Sequence, residues 1–159
     1  MKNDPDFDVE DKSDATRDVR VMFAGLHCLG VFADEIEGVA DWRNPAPLPD
    51  APNGVLGVAS LRGRMLTVLE AAVLLGAPAA AAPAPAKIVA LRGDEQVALA
   101  VDSTGDLIEI AKDELGTTSK AGALILGVIS RGEQSITVLD SKQLFATAMR
   151  GRERRRRRF

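Results

Sequence analysis

The chain of 159 residues is 46% hydrophobic and 4% aromatic, with a formal net charge of −3, and this length suits one domain or two small subdomains that share a core. The few aromatic residues disfavour a stacking surface for single-stranded nucleic acid, and the single cysteine, Cys28, excludes an intrachain disulfide and is typical of a reducing compartment. The sequence shows neither a signal peptide nor the roughly 18 consecutive apolar residues that cross a bilayer, so we expect a soluble cytoplasmic protein.

Opposite charges are concentrated at the two ends of the chain. Residues 1–18 carry seven acidic and three basic side chains, whereas the last ten residues carry seven arginines and one glutamate. Blocks of like charge repel one another and do not bury apolar surface. We therefore predict a disordered acidic arm over residues 1–17, a folded domain over residues 18–149 and a disordered arginine-rich tail over residues 150–159.

Short apolar, β-prone runs follow the arm. The predicted elements of the first half are strands over 19–25 and 26–33, an interrupted strand over 34–42, a proline-rich loop over 44–54, a hairpin over 55–70 and a helical turn over 71–76. Arg62 and Gly63 lie near the tip of the hairpin. The alanine- and proline-rich segment 77–86 is predicted to be an exposed connector.

The second half repeats this pattern of short strands. Its predicted elements are strands over 87–93, 96–104 and 106–110, a loop over 112–123, a second hairpin over 124–140 and a helix over 140–150. Asp140 or Ser141 is suited to cap the helix, and Leu144, Phe145 and Ala148 have helical spacing.

An internal repeat links the two hairpins. The stretches "GVASLRGRMLTVLE" (residues 57–70) and "GVISRGEQSITVLD" (residues 127–140) align without gaps. The identical pairs are Gly57/Gly127, Val58/Val128, Ser60/Ser130, Thr67/Thr137, Val68/Val138 and Leu69/Leu139. Two similar units of short strands favour small barrels over one open sheet.

Residues that carry chemistry are sparse. His27 and Cys28 are neighbours on a predicted strand, so they point to opposite faces and fill the strand rather than form a metal site. Glu70 and Asp140 lie at equivalent strand ends, where a paired-carboxylate catalyst is the alternative to capping the turn or helix that follows. Duplication favours capping, and no phosphate-binding glycine loop is visible. We therefore expect no enzyme, no metal site and no cofactor.

The segment "GVLGVASLRGRMLTVLEAAVLLG" resembles the CheW family of bacterial chemotaxis coupling proteins. The residues that carry this resemblance are Gly57, Val58, Leu61, Arg62, Gly63, Val68 and Glu70. A second block is similar in Gly127, Val128, Leu139 and Asp140, and the ordered blocks extend from Arg20 to Met149. The resemblance implies a mainly β fold, with two small five-stranded SH3-like β-barrel subdomains that share a hydrophobic core, and a C-terminal helix.

The resemblance also implies a non-catalytic scaffold in chemotaxis signal transduction. Such a protein binds the regulatory domain of a CheA-type histidine kinase and the cytoplasmic tips of methyl-accepting chemoreceptors, in arrays at the membrane. The residues implied in partner binding are Ile36, Gly57, Val58, Arg62, Gly63, Leu107 and Ile108.

The implied binding residues have two kinds of role. Most of the apolar ones match positions that line a groove between the barrels, where an amphipathic receptor helix would dock, although ordinary core packing is the alternative for each. Arg62 suits a polar contact at an interface or an internal salt bridge that holds the turn, and the two can coexist. Gly57 and Gly63 allow turns or close backbone approach.

The sequence departs from the family pattern at the early strand. The family's usual glutamate, which can pair with the hairpin arginine, is replaced by Gly38. Glu37 is adjacent, but in a regular strand it faces the other way unless a bulge, which Gly38 would ease, re-aims it. Ser60 and Thr67 replace an asparagine and a proline. A divergent coupling protein with its own partners, or a competitor at the kinase or receptor site, therefore stays open.

The run Arg154–Arg158 is not part of the resemblance. A solvated tail without function, a fold-back on the acidic arm and a weak contact with anionic lipid are all open, the last at about 1 kcal/mol per basic residue near the surface. A small β-barrel that binds nucleic acid through this tail is a remote alternative. Because the body is acidic and aromatic residues are few, we expect no specific nucleic-acid partner.

Overall fold

The computed structural model describes residues 16–76, 85–117 and 123–157, with the backbone alone for residues 151–157. The strands are β1 (Thr16–Ala24), β2 (His27–Phe32), β3 (Ile36–Asp41), β4 (Val55–Leu61), β5 (Arg64–Glu70), β6 (Lys87–Leu91), β7 (Val97–Val101), β8 (Ser103–Ala111), β9 (Gly116–Thr117), β10 (Ile125–Arg131) and β11 (Gln134–Leu139). The helices are α1 (Ala71–Leu74) and α2 (Leu144–Arg157), and 3₁₀ turns cover Ala33–Glu35, Lys112–Glu114 and Ser141–Gln143. The predicted arm and connector lie mainly outside the described residues.

The described strands form two sheets. The first has the order β8-β1-β2-β11-β10-β9 and the second the order β3-β6-β7-β5-β4. The chain leaves the first sheet through the turn Ala33–Glu35, builds all of the second sheet and returns at Asp102, whose amide donates to the carbonyl of Phe23 (2.8 Å). The first and last strands of the chain therefore share one sheet.

The predicted mainly β fold of two units is confirmed, with one correction to the barrels. The described ladders end at β8 and β9 in the first sheet and at β3 and β4 in the second, so neither sheet closes into a five-stranded barrel. The first sheet also gains the two-residue strand β9, which pairs with β10.

The two repeated hairpins occupy equivalent places in the two sheets. In the second sheet β5 pairs in parallel with β7, and in the first sheet β11 pairs in parallel with β2. Thr67 lies opposite Val97, and its repeat partner Thr137 lies opposite Leu29. The sequence repeat therefore corresponds to two structurally equivalent units.

A central core joins the two sheets. Its largest fully buried side chains come from both sheets and from α2: Met22, Leu29, Leu69, Leu99, Leu139 and Leu144. Each contributes about 1.5–3 kcal/mol by burial. Leu144 and Ala148 are buried and Phe145 packs beside them, which confirms the predicted helix. The helix continues through Arg157, whereas the sequence predicts disorder from residue 150.

Gly57 and Gly127 open the repeat because a neighbouring backbone lies directly against each of them. Both glycines sit at irregularities in their hairpin ladders. A Cβ atom on Gly57 would lie 2.2 Å from the carbonyl oxygen of Ala46, and one on Gly127 would lie 2.1 Å from that of Gly116. These distances are below van der Waals contact, and a backbone oxygen cannot rotate away. Any larger residue at either position would push the backbone of Ala46 or of Gly116 away from its hairpin.

The acids that close the repeat are held alike by their backbones but differ in their side chains. The amide of Glu70 donates to Gly54 and that of Asp140 to Leu124, both at 2.8 Å. The Asp140 carboxylate accepts from the amide of Lys142 (3.0 Å), so its predicted capping role is confirmed. For Glu70 the prediction is wrong, because its side chain makes no capping hydrogen bond to α1. Its longer side chain is not among those that cap well.

Replacing Gly127 by alanine is expected to lower the free energy of unfolding by about 2 kcal/mol or more, as in other overpacked sites. The control is Gly132→Ala, in the turn of the same hairpin, where φ is +61° and no neighbouring atom meets a Cβ. That variant should lose only about 1 kcal/mol, from its left-handed backbone. Urea unfolding measures both values. Equal losses would show that the contact with Gly116 is not what selects glycine.

Glu70 is expected to make stability depend on pH. Burial, and then the negative charge of Asp102, raise the pKa of Glu70 above its ordinary value, so the folded state holds this proton more tightly than the unfolded state. The contribution of Glu70 to stability should therefore fall as pH rises from below about 4.3, the unfolded value, through the folded pKa. We expect Glu70→Gln to be more stable than the parent at neutral pH, with the advantage shrinking towards about pH 4.

Urea unfolding across that pH range tests this expectation. The exposed Glu95 offers a matched control for the loss of one negative charge, as Glu95→Gln. A stability difference for Glu70→Gln that stays constant with pH would contradict the prediction.

Candidate functional site

The tip of the first hairpin is a two-residue turn formed by Arg62 and Gly63. Leu61 and Arg64 face each other across the ladder, and φ is +52° at Arg62 and +78° at Gly63. Positive φ at both central residues is typical of the type I′ turn, whose twist matches that of the strands. Arg62 is exposed, and few residues other than glycine adopt this conformation. The turn therefore fixes the position of Arg62, in a backbone conformation that is unfavourable for an arginine.

The guanidinium group of Arg62 lies against Gly38 on β3. A Cβ atom at Gly38 would lie 2.7 Å from Cζ and from Nη1 of Arg62. The arginine thus occupies the space that a side chain at position 38 would take. No carboxylate of the described residues forms an ion pair with Arg62.

The ion pair between the hairpin and β3 is formed by Arg64 and Glu37 instead. The pairing of β3 with β6 shifts register between Ile36 and Gly38, so Glu37 lies in a bulge, the irregularity that the sequence left open. Its carboxylate accepts a hydrogen bond from Nη1 of Arg64. Both side chains are about 30% exposed. Arg64 was not among the residues identified from the sequence, because its pairing with Glu37 depends on the bulge in β3 and on the geometry of the turn.

The second hairpin is anchored in the same way. Nε of Arg131 donates to the Glu114 carboxylate (2.5 Å), and Nη2 donates to the carbonyl of Glu109 on β8 (2.8 Å). The hydrogen bond from Arg131 lowers the pKa of Glu114. One arginine per hairpin therefore forms an ion pair across the gap in its sheet, whereas Arg62 reaches β3 without an ion pair to any described residue.

Gly57 and Val58 lie on β4, towards the other end of the hairpin. The amide of Val58 donates to Ala46 and its carbonyl accepts from Ala46, both at 2.8 Å. Gly57 is buried beneath the same residue. Ile36 is half-buried and packs against the central core. Gly57 and Ile36 are thus tied to the fold itself, whereas Val58 is only partly covered.

Leu107 and Ile108 lie on β8, at the edge of the first sheet. They face Arg20 and Val19 of β1. Leu107 is 48% exposed, whereas Ile108 packs against the core of the first sheet. The predicted binding residues therefore fall into two groups: the Arg62–Gly63 tip, Ile36 and the strand β4 in the second sheet, and an exposed Leu107 in the first.

Cys28, the cysteine of the chain, is part of the packing of the first sheet. Cys28 lies opposite Phe23 and packs against the core of the first sheet, and burial raises the pKa of its thiol. A thiol with a raised pKa is a poor nucleophile at neutral pH. Among the described residues, no three His, Cys, Asp or Glu side chains are grouped to hold a metal ion. None of the described helices is both long and apolar enough to span a bilayer.

Two known proteins are similar to this chain in sequence. A chemotaxis protein CheW from Thermotoga maritima is 28% identical over 133 residues, which cover 80% of this chain and 88% of that protein. A chemotaxis protein CheW from Rhizobium meliloti is 28% identical over 92 residues, covering 57% and 58% of the two chains.

A solved structure shares the fold. The scaffolding protein TtCheW from Thermoanaerobacter tengcongensis superposes with a TM-score of 0.68 at 16% identity, covering 78% of this chain and 88% of that one. The family profile described as the CheW-like domain matches residues 19–149. Since that match spans most of the chain, this protein belongs to the CheW-like domain family.

Proposed function

We propose that this protein is a non-catalytic adaptor that couples chemoreceptors to a CheA-type histidine kinase. Membership of the CheW-like domain family and the similarity to TtCheW, a scaffolding protein, support an adaptor. The observation that carries the proposal is Arg62: it is exposed, it sits in a fixed turn, and no carboxylate of the described residues pairs with it. An interface residue needs this combination of access and fixed position.

The geometry explains how the tip would recognise a partner. A guanidinium presents a planar fork of hydrogen-bond donors that suits carboxylates and carbonyls. The turn and the contact with Gly38 hold this fork before the partner arrives, which lowers the entropy lost on binding. The partner on this side is the cytoplasmic tip of a receptor, and the kinase contributes its regulatory domain. The complex would assemble in the cytoplasm at receptor arrays.

The first experiment is a calorimetric titration against the regulatory domain of a CheA-type kinase from the same source. The chain is used with and without residues 150–159. We expect saturable one-to-one binding that the loss of these residues does not change. If neither form binds, the adaptor function is wrong. Failure of the protein to restore kinase activation by receptors, despite kinase binding, would instead indicate a competitor.

Replacing Arg62 by asparagine should weaken binding to a purified receptor-tip fragment by about tenfold or more, the equivalent of one charge-assisted hydrogen bond. Asparagine tolerates the left-handed conformation, so the turn should survive. Lys112→Ala removes an exposed cation from the other sheet and serves as the matched control. Calorimetry measures both affinities. Equal affinities for the two variants would remove Arg62 from the receptor site.

A further inference from the structure

We propose that residues 1–15 bind the arginine-rich end of α2 within the same chain and shield it from other polyanions. These residues are the part of the acidic arm that precedes β1. The contact is separate from the adaptor function proposed above and does not depend on it.

The two segments carry strong charges of opposite sign. Residues 1–15 have six acidic and two basic side chains, whereas residues 150–158 have seven arginines and one glutamate. The acids are Asp4, Asp6, Asp8, Glu10, Asp11 and Asp14. Because several charges act together on each side, the attraction between the segments exceeds that of a single exposed ion pair.

The arginine-rich segment continues a helix beyond its packed part. α2 extends from Leu144 to Arg157, and the last of its described side chains to be buried is that of Ala148. Glycine is a poor helix former, and residue 151 is a glycine. Arginines follow one another at spacings of three and four over residues 150–157, and like charges at these spacings destabilise a helix. The helix dipole favours cations only in the last turn. An anionic partner along this segment would remove the repulsion.

The acidic segment is attached beside the start of the same helix. β1 begins at Thr16, and Nη2 of the next residue, Arg17, lies 3.6 Å from Oε2 of Glu35. The other oxygen of this carboxylate accepts a hydrogen bond from Oγ of Ser141 (2.8 Å), in the turn that leads into α2. One carboxylate therefore connects the beginning of β1 to the residues that precede the helix.

The acidic segment is also long enough to reach the far end of the helix. The 14 residues of α2 span about 20 Å, whereas residues 1–15 can extend over about 50 Å. Both segments belong to one chain, so each has an effective concentration for the other in the millimolar range. Residues 1–15 can therefore contact the arginines without any change in β1 or in α2.

Two other kinds of polyanion fit the arginines less well. Residues 150–158 contain no apolar side chain, whereas a helix that lies in a membrane interface buries an apolar face. Nucleic acid needs only cations for its phosphates, but the rest of this chain is acidic and repels it. The acidic segment is present in every molecule, so we expect it to compete with both.

Paramagnetic relaxation tests the contact in the full-length chain. A nitroxide is attached through Val9→Cys, and Cys28→Ala leaves one site for the label. We expect the label to broaden the backbone amide signals of residues 150–157 at low salt. The effect should disappear in about 1 M salt, where the screening length is about 3 Å. The control carries the same label with the six acids of residues 1–15 changed to Asn or Gln. Equal broadening with and without these acids would overturn the proposal.

A mixture of chains shows whether the contact forms within one molecule. Isotope-labelled chains without a nitroxide are mixed with nitroxide-labelled chains that carry no isotope, at the same total concentration. We expect no broadening in this mixture. Broadening of the same size as in the doubly labelled chain would mean that residues 1–15 bind a second copy, which would overturn the proposal.

Binding to a short DNA duplex measures the shielding, with Cys28 and Val9 left unchanged. One variant loses the six acids of residues 1–15, and its control loses six exposed acids of the described residues, so that both have the same net charge. The control changes are Asp50→Asn, Asp94→Asn, Glu95→Gln, Asp106→Asn, Asp113→Asn and Glu133→Gln.

We expect the first variant to bind the duplex about tenfold more tightly than the control at low salt, because its arginines are free to contact phosphates. The difference should vanish when residues 150–159 are removed from both variants. Urea unfolding checks that both variants fold. Equal affinities of the two full-length variants would show that residues 1–15 do not cover the arginines, and would overturn the proposal.

Discussion

The position of each hairpin tip depends on side chains that bridge the unpaired ends of its sheet. The strands at the ends of the second sheet, β3 and β4, do not pair with each other, and the same is true of β8 and β9 in the first. Side chains span the gap instead: Arg64 reaches Glu37, and Arg131 reaches Glu114. Partly exposed ion pairs contribute about 1 kcal/mol or less. These bridges therefore fix the position of each hairpin tip, while the central core supplies most of the stability.

The chain path makes the two sheets depend on each other. β1 and β2 complete a sheet whose other strands come from the end of the chain. Where the chain passes from the first sheet to the second, Arg17 stacks on Phe32 at 3.5 Å and pairs with Asp34 at 2.8 Å. Where it returns to the first sheet, the amide of Asp102 donates a hydrogen bond to the carbonyl of Phe23. Pairings of such high sequence separation are slow to form. The first sheet, which holds the second hairpin, is therefore complete only once β1 and β2 have met the strands from the end of the described chain.

The sequence predicted the local structure well and the long-range structure poorly. The repeat that begins at Gly57 and Gly127 led to two equivalent units, and the alternation of apolar residues located most strands. The partners of each strand were not predictable, because a period of two does not encode a neighbour. Gly38, where the family resemblance implies a glutamate, was visible in the sequence, but the ion pair between Arg64 and Glu37 was not. It depends on a bulge and on a turn with two positive φ values.

Arg62 and Arg64 lie on either side of Gly63 in the first hairpin, and they are held in different ways. In this chain Arg64 bridges to Glu37 on β3, so a substitution at Arg62 removes neither partner of that bridge. The strained turn keeps Arg62 in position through the backbone rather than through an ion pair. The bridge across the sheet and the position of the exposed cation that we propose as a recognition group therefore rest on different interactions.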